Sequence, residues 1–342
     1  MANPAITLDV DGRGVRLSSP DKVYFPELGL TKRDVAEYML AVGPGLLGAL
    51  RGRPTTMERW PGGVGGEESF YQKRLPKAVP EWVGRATITF PSGRTAETVC
   101  PDDLATVLWM LNLGTLRFHP WPVRGTAPDL VDELRLDLDP QPGTGFEDAV
   151  AAALELRGVL TELGLTGFVK TSGGRGVHVY APVGPTDFID ARHAAIAIGR
   201  ELARRMPDRV TVNWWKEERG ERIFVDINQM ARDRLMTSAY SIRPTELARV
   251  SAPLTWDELP DADPAAYTVV TMPARFAAVG DPWAALATTP PASLAPALAW
   301  YDRDAAAGEG EMPYPPEYPK MPGEPPRVQP SRARQQPGEA SG

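Results

Sequence analysis

Leu134-Arg135-Leu136-Asp137-Leu138-Asp139-Pro140 is the stretch whose reading decides the fold. Side chains along a strand point alternately to opposite faces, so Leu136 and Leu138 turn to the core and Asp137 and Asp139 share the other face. Pro140 has no N–H for a ladder and marks the strand's end. Two carboxylates on one face repel each other unless a cation sits between them, and all-oxygen donors of this kind suit Mg²⁺ or Mn²⁺. A third carboxylate comes from Ile223-Phe224-Val225-Asp226-Ile227-Asn228, where Asp226 again alternates with apolar residues. Between the two lies Phe168-Val169-Lys170-Thr171-Ser172-Gly173-Gly174-Arg175-Gly176-Val177-His178-Val179-Tyr180, read as strand, glycine turn, strand. Lys170, Ser172, Arg175 and His178 are its candidate anion contacts. Gly173 and Gly174 let backbone N–H groups approach phosphate oxygens. Two ions beside a phosphate cradle make a nucleotidyl-transfer site.

Each piece alone is common. An Asp-x-Asp strand also suits a glycosyltransferase that uses sugar nucleotides, or a plain solvated face. A Gly-Gly-x-Gly turn is an ordinary hairpin in many proteins, and a lone histidine such as His178 is usually structural. The order and spacing together are more specific. They resemble the three motifs of the archaeo-eukaryotic primase superfamily, and most of all the polymerase module of bacterial ligase D, an end-joining repair protein. The resemblance runs over about residues 15–285.

That resemblance implies an α/β (α+β) core with a central mixed or antiparallel sheet flanked by helices. It implies a template-dependent polymerase that adds nucleotides, ribonucleotides by preference, at gaps or broken DNA ends. One Mn²⁺ or Mg²⁺ ion on Asp137, Asp139 and Asp226 would activate the primer 3′-hydroxyl, and a second on Asp137 and Asp139 would hold the triphosphate. Arg243, in Ala239-Tyr240-Ser241-Ile242-Arg243, matches an arginine that grips the triphosphate, a role suited to its planar fork. His119 matches a histidine that contacts the incoming nucleotide. Phe70 and Tyr71 match a base-stacking pair, although on a strand they would face opposite sides and one would belong to the core. Lys22 and Lys32 match a lysine pair that holds the 5′-phosphate of a gap. Arg175 stands where the family has lysine, Ser19 where it often has asparagine, and Ala239 where it has proline. The partners implied are gapped or broken DNA and NTP or dNTP, with Ku and a separate ATP-dependent ligase as protein partners. Three other readings compete: a primase that starts strands de novo, a non-catalytic end-bridging protein, and the glycosyltransferase.

Composition agrees with a soluble globular protein: 342 residues, 42% hydrophobic and 24% charged. No run of about 18 apolar residues is present, so no membrane span is expected. The N-terminus lacks the features of a secretion signal. Cys100 is the single cysteine, which suits a reducing cytoplasm and excludes an internal disulfide. A monomer associated with the nucleoid is the expected form. A net charge of −7 argues mildly against a nucleic-acid partner. Basic groups nevertheless cluster at Arg51, Arg53 and Arg59, and again at Lys73, Arg74 and Lys77.

Along the chain, residues 5–17 suggest a strand pair turning at Asp11-Gly12, and Thr31 an N-cap. A hairpin is expected over 86–100 with Ser92-Gly93 in its turn, then a helix from about Pro101 to Leu113. Phe146–Leu163 carries a helical stripe of Val150, Ala153, Leu156, Val159, Leu160 and Leu163. A second helix spans Phe188–Met206, with His193 on its surface, and a strand spans Val210–Trp215. The catalytic domain is expected over 1–290, with DNA-binding elements in 1–130 and the core in 131–290. An Ala-rich helix over 289–302 and a Pro-rich extended tail would complete the segment 291–342. No Lys-x-Asp-Gly ligase nucleophile occurs, so a stand-alone polymerase module is expected.

Overall fold

The computed structural model describes residues 5–66 and 69–313. The Pro-rich tail expected within 291–342 lies outside them from residue 314 onward.

The chain opens with an antiparallel hairpin, β1 (Ala5–Val10) and β2 (Arg13–Ser18). Asp11 and Gly12 make its turn at φ 52° and 79°. Two short strands, β3 (Val23–Phe25) and β4 (Leu30–Thr31), lead into α1 (Lys32–Ala41). Thr31 caps this helix as expected: its hydroxyl accepts from the Asp34 N–H, and the Asp34 carboxylate accepts from the Thr31 N–H. Then come α2 (Gly43–Leu50), β5 (Thr55–Arg59), β6 (Phe70–Gln72), β7 (Arg85–Thr89) and β8 (Thr95–Val99). The next helix, α3 (Leu104–Asn112), starts three residues later than expected because Asp103, not Pro101, caps it. β9 (Thr115–Pro120) pairs with β5, and β5 to β9 form one antiparallel sheet ordered β6-β5-β8-β7, apart from the hairpin β1-β2 and the pair β3-β4.

A short β10 (Val123–Arg124) then turns into β11 (Ala127–Pro140), the long strand that contains the opening stretch. It is followed by α4 (Phe146–Glu162), β12 (Phe168–Thr171), β13 (Val177–Thr186) and α5 (Phe188–Arg205). The remaining elements are β14 (Val210–Thr211), α6 (Lys216–Arg219), β15 (Ile223–Val225), β16 (Pro253–Leu254), α7 (Met272–Val279) and α8 (Ala295–Ala306). The second sheet runs β14-β15-β11-β13-β12-β16, all antiparallel except β14 with β15. It is thus a mixed sheet with β11 at its centre. The expected strand at 210–215 stops at Thr211, so both tryptophans after it stand in irregular chain.

Leu134, Leu136 and Leu138 pack into a core with α4 and α5, where Ala153, Leu156, Val159, Ala194 and Ile198 are all fully buried. A separate core gathers α1, α2, α3 and β9 around Tyr38, Leu46, Leu108 and Phe118. Between the two cores runs the other face of β11, bearing Glu133, Arg135, Asp137 and Asp139. Arg53, expected in a solvated cluster, is buried in this seam and pairs with Asp132 at 2.6 Å and Glu133 at 3.1 Å. Arg135 pairs with Glu133 at 2.8 Å and donates to the carbonyls of Pro120 and Trp121. Buried guanidinium groups survive here because every pair is supported by further hydrogen bonds.

Candidate active site

The register of the sheet sets the site. On β11, Asp137 stands opposite His178 of β13, and His178 stands opposite Lys170 of β12. On the other side, β15 pairs Val225 with Leu138, and the Asp226 N–H donates to the Asp137 carbonyl at 2.9 Å. Lys170, His178, Asp137 and Asp226 therefore form one row across four adjacent segments.

Hydrogen bonds tie this row together. Lys170 Nζ lies 2.8 Å from His178 Nδ1 and 2.5 Å from Ser251 Oγ, and His178 Nε2 lies 3.3 Å from Asp137 Oδ1. A carboxylate can only accept, so His178 Nε2 carries the proton that faces Asp137, and in the neutral ring Nδ1 is left to accept from Lys170. Burial and the neighbouring Lys170 charge push His178 well below the usual imidazole range, which keeps it neutral. Lys170 is wholly buried and is itself pushed well down, chiefly by burial. Expected as an anion contact, it instead stands behind His178 with its donors already engaged.

Burial raises the Asp137 carboxyl to about 6, against the pull of Lys170 and Arg243. Asp226 is also raised to about 6, by burial and then by the charge of Asp137. Asp139, exposed at the strand's end, is raised by partial burial and by Asp137. Asp226 does not lie within a strand as expected. It sits one residue past β15 and caps a 3-10 turn, accepting from the Asn228 N–H at 3.1 Å and from Gln229 Nε2 at 2.9 Å. Among the described residues, no group of three or more His, Cys, Asp or Glu side chains is placed to hold a metal ion. Mg²⁺ does not require one, because it takes one or two carboxylates and completes its shell with water and phosphate oxygens. Neighbouring carboxylates raised by burial and mutual repulsion are a donor set that such a cation would stabilise.

The glycine turn closes over this row. Ser172 Oγ accepts from the N–H groups of both Gly174 and Gly176 at 3.1 Å, so these two donors organise the loop and do not face outward. Gly173 has φ 74°, and a Cβ there would meet the Arg243 side chain at 2.7 Å. The glycine thereby lets Arg243 lie across the turn, where its Nε donates to the Ser172 carbonyl at 2.8 Å. Burial and Arg117 lower Arg243 to about 10, which leaves it cationic near neutrality. Arg175 Nη2 reaches only the Pro140 carbonyl, at 3.5 Å.

A second group faces the same space from the N-terminal sheet. His119 Nε2 lies 2.8 Å from Glu58 on the paired strand, and Arg117 bonds the same carboxylate at 2.9 Å. His119 is buried and lowered to about 4, mostly by burial, so it is neutral, and its Nδ1 has no partner among the described residues. The Tyr71 ring lies tilted against it, with ring centroids 5.6 Å apart. Phe70 and Tyr71 are both exposed, at 44% and 51%, contrary to the expectation that one is core. Strand β6 is the last strand on its edge of the sheet, and the Arg59 guanidinium covers Phe70 at 5.0 Å. Nothing in the sequence singles out Glu58, whereas the alternation of Arg117 with His119 in one extended run is a signal for Arg117.

Lys22 Nζ donates to the Pro61 carbonyl at 2.8 Å. Lys32 is 4% exposed and donates to the carbonyls of Ser18 (3.1 Å) and Asn112 (2.8 Å). Burial, Lys22 and Arg59 lower it to about 8. The three cations thus form a cluster that donates to carbonyls and amide oxygens.

Residues 31–283 match the family described as LigD, primase-polymerase domain. The chain belongs to this family. LigD of Mycolicibacterium smegmatis, a multifunctional non-homologous end joining protein, is 32% identical over 254 residues, which are 73% of this chain and 33% of that protein. The bifunctional LigD of Bacillus subtilis is 32% identical over 272 residues, 79% of this chain and 43% of that protein. The polymerase domain from Mycobacterium tuberculosis ligase D in complex with DNA matches with a TM-score of 0.75 at 32% identity, covering 80% of this chain and 98% of that one. This LigD primase-polymerase chain is a nucleotidyltransferase by family, and it spans about a third of the length of the mycobacterial relatives. Among its described residues, no helix is long and apolar enough to cross a membrane.

Proposed function

We propose that this chain is a template-dependent polymerase that adds nucleotides, ribonucleotides by preference, at gaps or broken ends during DNA repair. The observation that carries the reading is the row Lys170–His178–Asp137–Asp226, laid beside the turn on which Arg243 rests. Two divalent cations, Mn²⁺ or Mg²⁺, held by Asp137, Asp139 and Asp226, would supply activation of the primer hydroxyl and charge neutralisation on the leaving pyrophosphate. The chain's own groups do the rest. Arg243 and Ser172 bind triphosphate oxygens, with Arg175 at the rim. The His178 Nε2–H holds the Asp137 carboxylate in orientation while remaining neutral. His119, whose Nε2–H donates to Glu58, presents its bare Nδ1 as an acceptor to the nucleotide. Exposed Phe70 and Tyr71 offer faces on which bases stack, each stack being worth roughly 1–3 kcal/mol. Lys22 and Lys32, with Arg59 beside them, attract the downstream 5′-phosphate. Ku and a separate ligase are the protein partners in this reading, and chromosomal DNA in the cytoplasm is the substrate.

Primer extension on a short gapped duplex with Mn²⁺, each NTP and dNTP supplied separately, tests it. We expect templated addition that is lost in Asp137→Ala and stimulated by a downstream 5′-phosphate only while Lys22 is intact. Addition indifferent to that phosphate would favour the second reading, a primase that starts strands de novo. No addition under any condition would sink the polymerase assignment.

A further inference from the structure

Residues 295–313 lie beyond the stretch matched to the family and pack along α5. The ring of His193, expected at an open surface, stacks on Tyr301 with centroids 3.9 Å apart. Arg200 donates to the carbonyls of Glu309 and Gly310, the latter at 2.7 Å. The decisive contact is made by Arg192, which is 0% exposed. One arm of its guanidinium pairs with Glu311. The other donates to the carbonyls of Met312 (2.8 Å) and Pro313 (3.2 Å), and to Asn228 Oδ1 at 3.3 Å. Asn228 is 3% exposed, and its backbone N–H holds Asp226 Oδ1.

A buried guanidinium needs its charge compensated, and its planar fork fixes the directions in which it donates. Glu311 supplies that compensation from outside the matched domain. We infer that residues 309–313 form a positioning strap for the third carboxylate: Glu311 fixes Arg192, Arg192 fixes Asn228, and Asn228 fixes Asp226. This inference rests on the reading of Asp226 as a metal-facing carboxylate. Arg192, Asn228 and Glu311 are positioning residues that act through Asp226 and need not touch a nucleotide.

The test uses the full chain with Asn228→Ala, Glu311→Ala and, as reference, Asp226→Asn. Two quantities are read: Mn²⁺ binding by the loss of the free-ion paramagnetic resonance signal, and amide hydrogen exchange of residues 226–231 without metal. Both strap variants are expected to bind Mn²⁺ about tenfold more weakly, as loss of an outer-shell partner does. They should also speed exchange at 226–231 by about tenfold while α4 amides stay unchanged, a local and not a global opening. Wild-type Mn²⁺ affinity together with wild-type exchange in Asn228→Ala would overturn the strap. Should Glu311→Ala fail to fold, Asn228→Ala decides alone, since it cuts the link and leaves the ion pair in place. If Asp226→Asn binds Mn²⁺ like wild type, it is the metal-site reading that fails, and the exchange data still decide the strap.

Discussion

Lys32 gives the clearest pH signature of any single side chain. Its folded pKa of about 8 stands below the ordinary 10.5, because burial and two cationic neighbours disfavour its charge. Between those values the unfolded chain binds a proton that the folded chain has lost, so this group makes stability rise with pH across that window. Below about 8 the charge is present in the fold and is available to a phosphate. Stimulation of gap filling by a downstream 5′-phosphate should therefore fade from pH 7 to pH 9; stimulation that is flat across that range would remove Lys32 from the pocket. Asp137 has the opposite character. Its carboxyl is raised in the fold to about 6, so the folded chain binds more protons than the unfolded one and stability falls as pH rises from 3.8 to about 6. At pH 7 Asp137→Asn should abolish nucleotide addition yet raise the metal-free thermal stability by roughly 1–2 kcal/mol; calorimetry showing a loss of stability would contradict this. Lys170→Met should lower kcat by about tenfold with little change in KM for nucleotide, because it releases His178 and not the triphosphate. A rise in KM alone would restore Lys170 as a direct phosphate contact.

At the scale of elements, the hairpin of β12 and β13 shows what a sequence can and cannot tell. The glycines at 173, 174 and 176 announced a turn, and alternation placed the carboxylates of β11 on one face. Which N–H bonds which oxygen was not legible, since a Ser172 hydroxyl that gathers two loop amides depends on three-dimensional closure. Nor was the burial of Lys170, which needs the pairing of β12 with both β13 and β16. Caps were read well because they are local: Thr31 and Asp34 lie three residues apart. The late start of α3 was missed, since Pro101 and Asp103 both suit a helix entrance and only Asp103 accepts from Thr106. Gly173→Ala should strain a left-handed residue by roughly 1–2 kcal/mol and push Arg243 aside, so KM for nucleotide should rise while binding of gapped DNA holds. Unchanged nucleotide kinetics would mean that Arg243 does not depend on the turn.

For the whole molecule, a net charge of −7 is an average over the chain and says nothing of where the cations stand. Lys22, Lys32 and Arg59 come from three separate stretches, and only folding makes them neighbours. If they face DNA phosphate, the logarithm of affinity for a gapped duplex should fall linearly with that of salt, and Lys22→Ala should reduce the slope by about one; an unchanged slope in fluorescence anisotropy titrations would place the DNA elsewhere. The resemblance carried the N-terminal half, where the residues alone left Phe70, Tyr71 and His119 undecided. The strand β11, by contrast, follows from its own alternation, and that alternation has a further effect. Sliding β11 by a single residue against β13 would thrust Glu133, Arg135 and Asp137 into the hydrocarbon beneath α4 and α5 and turn three leucines into the seam. A side-chain period of two leaves no register halfway between the two pairings. A refolded preparation should consequently be a mixture of fully active and wholly inactive molecules, with none of middling turnover, so that the yield of folding can be counted by titrating working sites.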